Sequence, residues 1–243
     1  QKVAVARRPV VYFLKGHGER DLADRDPRTG FSLLKRELEA DNLDVRTLDV
    51  GDHPSLPADA EAVVIAATRR RLAAPLVEQL RAYLARDGRL LVMLESGGDT
   101  GLEALFEEWG IGVGRRVAVD PARTLSGYDL FVSDFRPHPV TRALAGSTCV
   151  FYLPRVVEPL PPPGGEQADR PRAQSLCQSS PESWAESDQD QRPMRYDANR
   201  DTPGPVSLAV AAERSGVRTL DVSVQTTRLV VMGDADFAGN GPA

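Results

Sequence analysis

The chain has 243 residues, 41 % of them hydrophobic and 27 % charged, with a formal net charge of −5, which is enough apolar material to build a sizeable core. The acidic balance excludes a broad electrostatic footprint for nucleic acid, so Arg69-Arg70-Arg71 and Arg115-Arg116 read as solvated surface. No run approaches the ~20 apolar residues of a membrane span and no signal peptide opens the sequence; Gln1 at one end and Gly241-Pro242-Ala243 at the other read as the ends of a piece of a longer protein.

Val10-Val11-Tyr12-Phe13-Leu14 is a continuous apolar run leading into Lys15-Gly16-His17-Gly18-Glu19, the pattern of a parallel strand covered on both faces and its loop. Phe31, Leu33, Leu34 and Leu38 then recur at helical spacing, with Gly30 and Ser32 at the start and Asn42 at the stop. Residues 44–50 alternate as a second strand and 62–67 form a third, fully apolar one. A helix over about 74–86 places Leu76, Leu80, Tyr83 and Leu84 on one face and ends at Asp87-Gly88; a strand over 89–94 and a helix over 101–109 follow. This alternation predicts an α/β fold with a mostly parallel sheet and helices on both faces.

Beyond Gly110 the texture changes to strands with few helices between them, at 117–119, 129–133 and 149–157. The stretch 159–205 is rich in Pro, Gly, Ser, Gln and acid, and a flexible loop is expected around 159–200. Two closing runs, 205–212 and 220–232, are separated by the hairpin-like break Arg214-Ser215-Gly216 and are expected to rejoin the first sheet. The expected organisation is therefore an α/β core over 1–110 and a β-rich extension over 111–243 that returns to the core sheet.

Two loops carry groups suited to chemistry. Gly16-His17-Gly18-Glu19 follows the first strand, and Gly233-Asp234-Ala235-Asp236 follows the last; both are expected at the sheet's carboxyl edge, where open α/β folds keep their ligand sites. His17 reads as a general base or metal ligand partnered by Glu19, or as a turn residue held by its neighbours. Asp234 and Asp236 hold a cation or share a proton if the strand runs through them; if the chain turns, Asp236 caps the next helix.

His138, between prolines, is accounted for by a structural role, with a ligand role as the lesser alternative, and His53 sits in a polar loop before Pro54. Glu95-Ser96-Gly97-Gly98 approaches a nucleophile elbow, but Leu94 stands where the first glycine is required. Cys149 and Cys177, each inside a strand-like run (148–153 and 173–179), lack the spacing of a zinc site and read as buried free thiols, with a disulfide as the alternative in an oxidising compartment. With no Ser-His-Asp or Cys-His arrangement, acyl transfer is disfavoured.

Six motifs occur in a set order: Tyr12 to Glu19; Asp87-Gly88-Arg89-Leu90-Leu91; Pro137-His138-Pro139-Val140-Thr141; Ser183-Trp184-Ala185-Glu186; Asp201-Thr202-Pro203-Gly204-Pro205; and Gly233 to Asn240. In this the chain resembles the extracytoplasmic part of the GldG-like auxiliary proteins, components of an uncharacterised ABC transport system linked in some bacteria to gliding motility. The resemblance implies a periplasmic domain of a bacterial inner-membrane protein, anchored by spans outside this sequence and working with the transporter's membrane subunits. It also implies a first half similar to class I glutamine-amidotransferase-like (flavodoxin-like) and intraflagellar-transport GIFT-type domains. Amidotransferases carry a cysteine at the elbow after a central strand, here the region of Glu95 and Ser96, so that activity is expected to be absent.

The resulting expectation is a non-catalytic binding or scaffolding module without cofactor or metal. Gly16, His17, Gly18, Glu19, Asp234 and Asp236 are its candidate ligand-binding residues, for a glycan, a peptide or a partner protein. The alternative is a metal-dependent hydrolase of a phosphate or glycan, with Asp234, Asp236, His17 and Glu19 as ligands and acid or base. A plain structural spacer is the third reading.

Overall fold

Val10–Lys15 forms the first strand, β1, and its first five side chains are all buried. Their alternation decides the packing, because successive side chains of a strand point to opposite faces. The computed structural model describes residues 7–51, 55–161, 171–191, 193–214 and 227–241. His53, much of the proline-rich segment, Ser215-Gly216 and the start of the last apolar run lie outside the described residues.

After β1 come α1 (Ser32–Ala40), β2 (Asp44–Asp49), β3 (Ala60–Ala66), α2 (Ala74–Leu84), β4 (Arg89–Met93) and α3 (Glu103–Glu108). The second half holds β5 (Ile111–Val119), β6 (Asp129–Val132), β7 (Asp134–Phe135), β8 (Cys149–Tyr152), β9 (Arg155–Pro159), β10 (Arg172–Gln178) and β11 (Trp184–Glu186). It closes with β12 (Thr202–Pro203), β13 (Ser207–Arg214) and β14 (Thr227–Met232).

The main sheet has eight strands in the order β2-β1-β3-β4-β14-β13-β10-β7. The first five run parallel and the last three continue the sheet antiparallel. The 2-1-3-4-5 order of a flavodoxin-like sheet is thus completed by β14, the final strand of the chain. The two closing runs do rejoin the first sheet, as their apolar character implied. Val10, Tyr12 and Leu14 share a core with Leu76, Leu80 and Leu84 of α2 and with Leu105 and Phe106 of α3. Val11 and Phe13 pack in a different cluster, against which Leu34 and Leu38 of α1 lie.

The second half adds a four-stranded sheet, β12-β11-β5-β9, and the pair β6-β8. The single run expected over 149–157 is two strands, because Leu153 takes a positive φ of 44°. Its amide donates to Tyr128 O at 2.9 Å, so β8 stays with β6 while β9 moves to β5. The stretch expected to hold a flexible loop around 159–200 contains β10, which matches the strand-like run 173–179, and also β11. Buried carboxylates fold its polar part: Glu186 accepts from Trp184 Nε1 at 3.0 Å and Asp188 N at 2.8 Å. Asp201 accepts from Ser187 N at 3.0 Å, Ser187 Oγ at 2.9 Å and Asp197 N at 2.8 Å. Two of the six sequence motifs are thereby accounted for as turn-forming acids.

The two sheets meet where β9 crosses the end of β14. Gly233 N donates to Leu208 O and Arg155 N donates to Gly233 O, both at 2.8 Å. A Cβ on Gly233 would fall 1.9 Å from Arg155 O, so no other residue fits without moving a strand. Gly233→Ala is expected to lower the unfolding free energy by about 1–3 kcal/mol through overpacking. Gly51→Ala, where a Cβ would meet nothing within 4 Å, serves as the neutral control; urea melts of both variants check the contrast.

Candidate functional site

Because β1, β3, β4 and β14 are parallel, their following loops gather at one edge. In the first loop Gly16 and Gly18 have φ of +131° and +88°, and a Cβ on Gly18 would lie 2.9 Å from Arg69 Cβ. The glycines therefore let the β1 loop pass tightly under the β3 loop. His17 O accepts from the amides of Arg69 and Arg70, each at 3.0 Å.

Glu19 turns inward, its side chain only 1 % exposed. One carboxylate oxygen accepts from His17 N at 2.7 Å, and the other lies 3.3 Å from His17 Nδ1 without hydrogen-bond alignment. His17 and Glu19 are brought together as expected, with Glu19 serving to close its own loop.

The residue that organises the edge is Arg20, which the sequence reading passed over. Its amide donates to Ala66 O at 3.0 Å. Its side chain is 7 % exposed, and Nη2 pairs with Glu95 Oε1 at 2.7 Å and with Asp236 Oδ1. Glu95, at the position of the degraded elbow, also has Arg69 Nε 4.0 Å away. Arg20 thus ties the loop after β1 to those after β4 and β14.

Asp234 and Asp236 divide the work differently from either expectation. The strand ends at Met232, so the two do not share a strand face, and the capping residue is Asp234 rather than Asp236. Asp234 accepts from Asp236 N at 3.1 Å, Phe237 N at 3.0 Å and Tyr152 N at 3.3 Å. It is buried, and burial outweighs these donors, pushing its carboxyl up to about 7. The same segment ends in Asn240, whose Oδ1 accepts from Leu33 N at 2.8 Å and whose Nδ2 donates to Asp26 O at 2.9 Å. Asn240 therefore supplies the cap that α1 lacks from its own N-cap residue. Phe237 packs on Phe151 with ring centroids 5.3 Å apart.

Among the described residues no three His, Cys, Asp or Glu side chains converge as a metal site. His138 is buried, its Nδ1 accepting from Val140 N at 3.1 Å and its Nε2 lying 3.7 Å from Glu213 Oε1. Burial, opposed by Glu213 and aided by Arg228, holds its ring below the usual histidine value. Cys149 and Cys177 are both free, and burial pushes the Cys177 thiol up to about 12. The arginine triplet read as solvated surface is exposed, yet it belongs to this edge. Arg70 Nη2 donates to Gly16 O, and Arg70 and Arg71 line a 510 Å³ cleft with Gly16, His17 and Asp49.

A family model described as an ABC-type uncharacterized transport system matches residues 8–241. The chain belongs to this family. Membership makes it an auxiliary component of an ABC-type transport system. No curated protein sequence matches it. Among solved structures it is similar to the mmIFT52 N-terminal domain, with a TM-score of 0.61 and 18 % identity over 95 % of this chain and 88 % of that one. It is also similar to a putative thuA-like protein from Bacteroides uniformis, with a TM-score of 0.50 and 12 % identity over 94 % of this chain and 82 % of that one. At these identities the likeness speaks for the fold, and the thuA-like neighbour fits a flavodoxin or glutamine-amidotransferase-like sheet. Among the described residues of this transport-family chain, no helix is long and apolar enough to cross a membrane.

Arg20→Met is expected to cost about 1–3 kcal/mol, since Glu95 and Asp236 lose a charge-assisted partner while remaining partly solvated. The cost should shrink in an Asp236→Asn background, which a double-mutant cycle by denaturant unfolding measures. For Asp234, a pKa raised from 3.8 to about 7 means that the folded state holds its proton more tightly than the unfolded chain does. This contribution is complete below pH 3.8 and is lost as pH rises toward 7. Asp234→Asn should therefore be penalised more, relative to the native chain, at pH 4 than at pH 8, as melts at the two pH values would register.

Proposed function

We propose that this domain is a non-catalytic binding or scaffolding module of the GldG-like kind, extracytoplasmic and working beside the membrane subunits of its ABC transporter. A membrane anchor elsewhere in the parent protein would hold it there. The observation that carries the reading is the closure of the carboxyl edge by Arg20. Glu95, where the amidotransferase relatives would place their nucleophile, is held at 2.7 Å by that guanidinium, and Asp236 is held by the same group. Asp234 is occupied by three backbone amides. An acidic edge consumed in this way supports binding or assembly rather than general acid-base work.

The same geometry gives a metal-dependent hydrolase less support, since the acids it would use are distributed between a backbone cap and an arginine clamp. The link to gliding rests on the sequence resemblance. Purification of the full-length parent from membranes is expected to bring down transporter membrane subunits; recovery without any of them would overturn the scaffold reading. Elemental analysis of the purified domain is expected to find no stoichiometric Mn²⁺ or Zn²⁺, and a stoichiometric metal removed by Asp234→Ala would favour the hydrolase instead.

A further inference from the structure

The cleft beside His17 has a composition that the scaffold reading leaves unused. It is lined by the loops that follow β1, β2 and β3 and by the start of α2, and so takes in the boundary between β1 and β3 where the strand order reverses. Ligands of open α/β sheets bind at such switch points. Its 510 Å³ is within the range of a pocket for a small molecule, ~300–1,000 Å³.

Its walls combine the exposed Ala73 and Pro75 with Asp49, Arg70, Arg71 and His17. Arg70 spends one donor on Gly16 O, which fixes that guanidinium against the wall and leaves its other donors. Among the described residues, the side chains of Asp49 and Arg71 have no hydrogen-bond or ion-pair partner, each other included. Two opposite charges on one concave wall that do not close on each other leave space for something to lie between them.

The pairing of charges restricts what fits. An apolar ligand would desolvate both charges without compensation. A phosphate dianion would gain from the arginines but face Asp49, which accepts hydrogen bonds and offers none when ionised. A hydroxylated monocarboxylate satisfies both ends: its carboxylate takes the arginine forks, a hydroxyl donates to Asp49, and the C–H face of a sugar ring rests on the exposed Ala73 and Pro75.

We infer that this cleft binds a small acidic sugar of the hexuronate type, held by Arg70 and Arg71 at its carboxylate and by Asp49 at a hydroxyl. This rests on the reading of the domain as a binding module and gives that module a ligand class. The test is titration of the purified chain, by ligand-observed NMR or calorimetry, with glucuronate, glucose and inorganic phosphate as probes.

Glucuronate is expected to saturate one site and to bind at least about tenfold more tightly than glucose, because a charge-assisted hydrogen bond is worth roughly a tenfold change or more. Arg71→Ala should weaken glucuronate by a similar factor. Asp49→Asn should weaken glucuronate and strengthen phosphate. Both side chains are exposed, so unchanged melting temperatures are expected, and a glucuronate shift in melting temperature for the native chain alone serves as a second readout. Absence of saturable glucuronate binding, indifference to Arg71→Ala, or equal affinity for glucose or phosphate would each overturn the inference. None of those results would touch the scaffold reading, whose own test is recovery of transporter subunits with the parent.

Discussion

The contact on which the architecture depends is the buried guanidinium of Arg155. Its side chain is almost fully enclosed, with the residue 1 % exposed, and its partners are backbone carbonyls. Nε and Nη2 donate to Gly114 O at 2.9 and 2.6 Å, and Nη1 donates to Gly98 O at 3.1 Å. Burial holds its pKa down, while Glu103 and Asp99 oppose that from a distance. An arginine stays charged even so, and a charge in such a place must be fully hydrogen-bonded to be tolerated. The three bonds bind the loop after β4 to β5, and the backbone of the same residue is bonded to Gly233 after β14. One residue thereby fixes the secondary sheet to the carboxyl edge of the main one. Lysine, a point donor without the fork, would not span two carbonyls in the same way.

That constraint explains why the closing Gly-Asp-Ala-Asp-Phe-Ala-Gly-Asn segment has so specific a composition. Gly233 admits the Arg155 backbone, Asp234 caps the turn that follows, Asp236 engages Arg20, Phe237 packs on Phe151 and Asn240 caps α1 on the far side of the sequence. Each residue answers a different local demand, and the demands come from five separate elements. A motif of acids at a strand end looks like a catalytic pair when read linearly. In three dimensions it is the clasp that draws the last strand against the first loop.

The parallel half of the fold was legible because its signals are local. The run Val10 to Leu14 needs no partner to be read as a doubly covered strand, and Leu76, Leu80 and Leu84 lie on one helical face whatever they meet. The return of the chain to the first sheet was legible too, since β13 and β14 are apolar without alternation. The second half was less so: the run 173–179 already had strand character and became β10, but β11 is three residues long, ends in Glu186 and becomes a strand only through pairing with β5. Of the site, the loops and their meeting at one edge were readable, and so was the pairing of His17 with Glu19. Arg20 was not, because nothing in a lone arginine after a glycine loop announces two acidic partners that lie 75 and 216 positions further along.

Arg20 also bears on how the charges of such an edge are arranged. A sheet of this order concentrates loops where charge and backbone donors face solvent, and several acids gathered there repel one another unless a cation joins them. Here the joining cation comes from the first loop and is itself buried, so that Glu95 and Asp236 are held by the fold. The edge is divided as a result. On the β4 and β14 side the charges neutralise each other and stiffen the structure; on the β1 and β2 side Arg71 and Asp49 remain uncommitted around an open cleft. A fold that has closed one part of its edge in this way keeps its tightest charge contacts and its uncommitted charges in separate places.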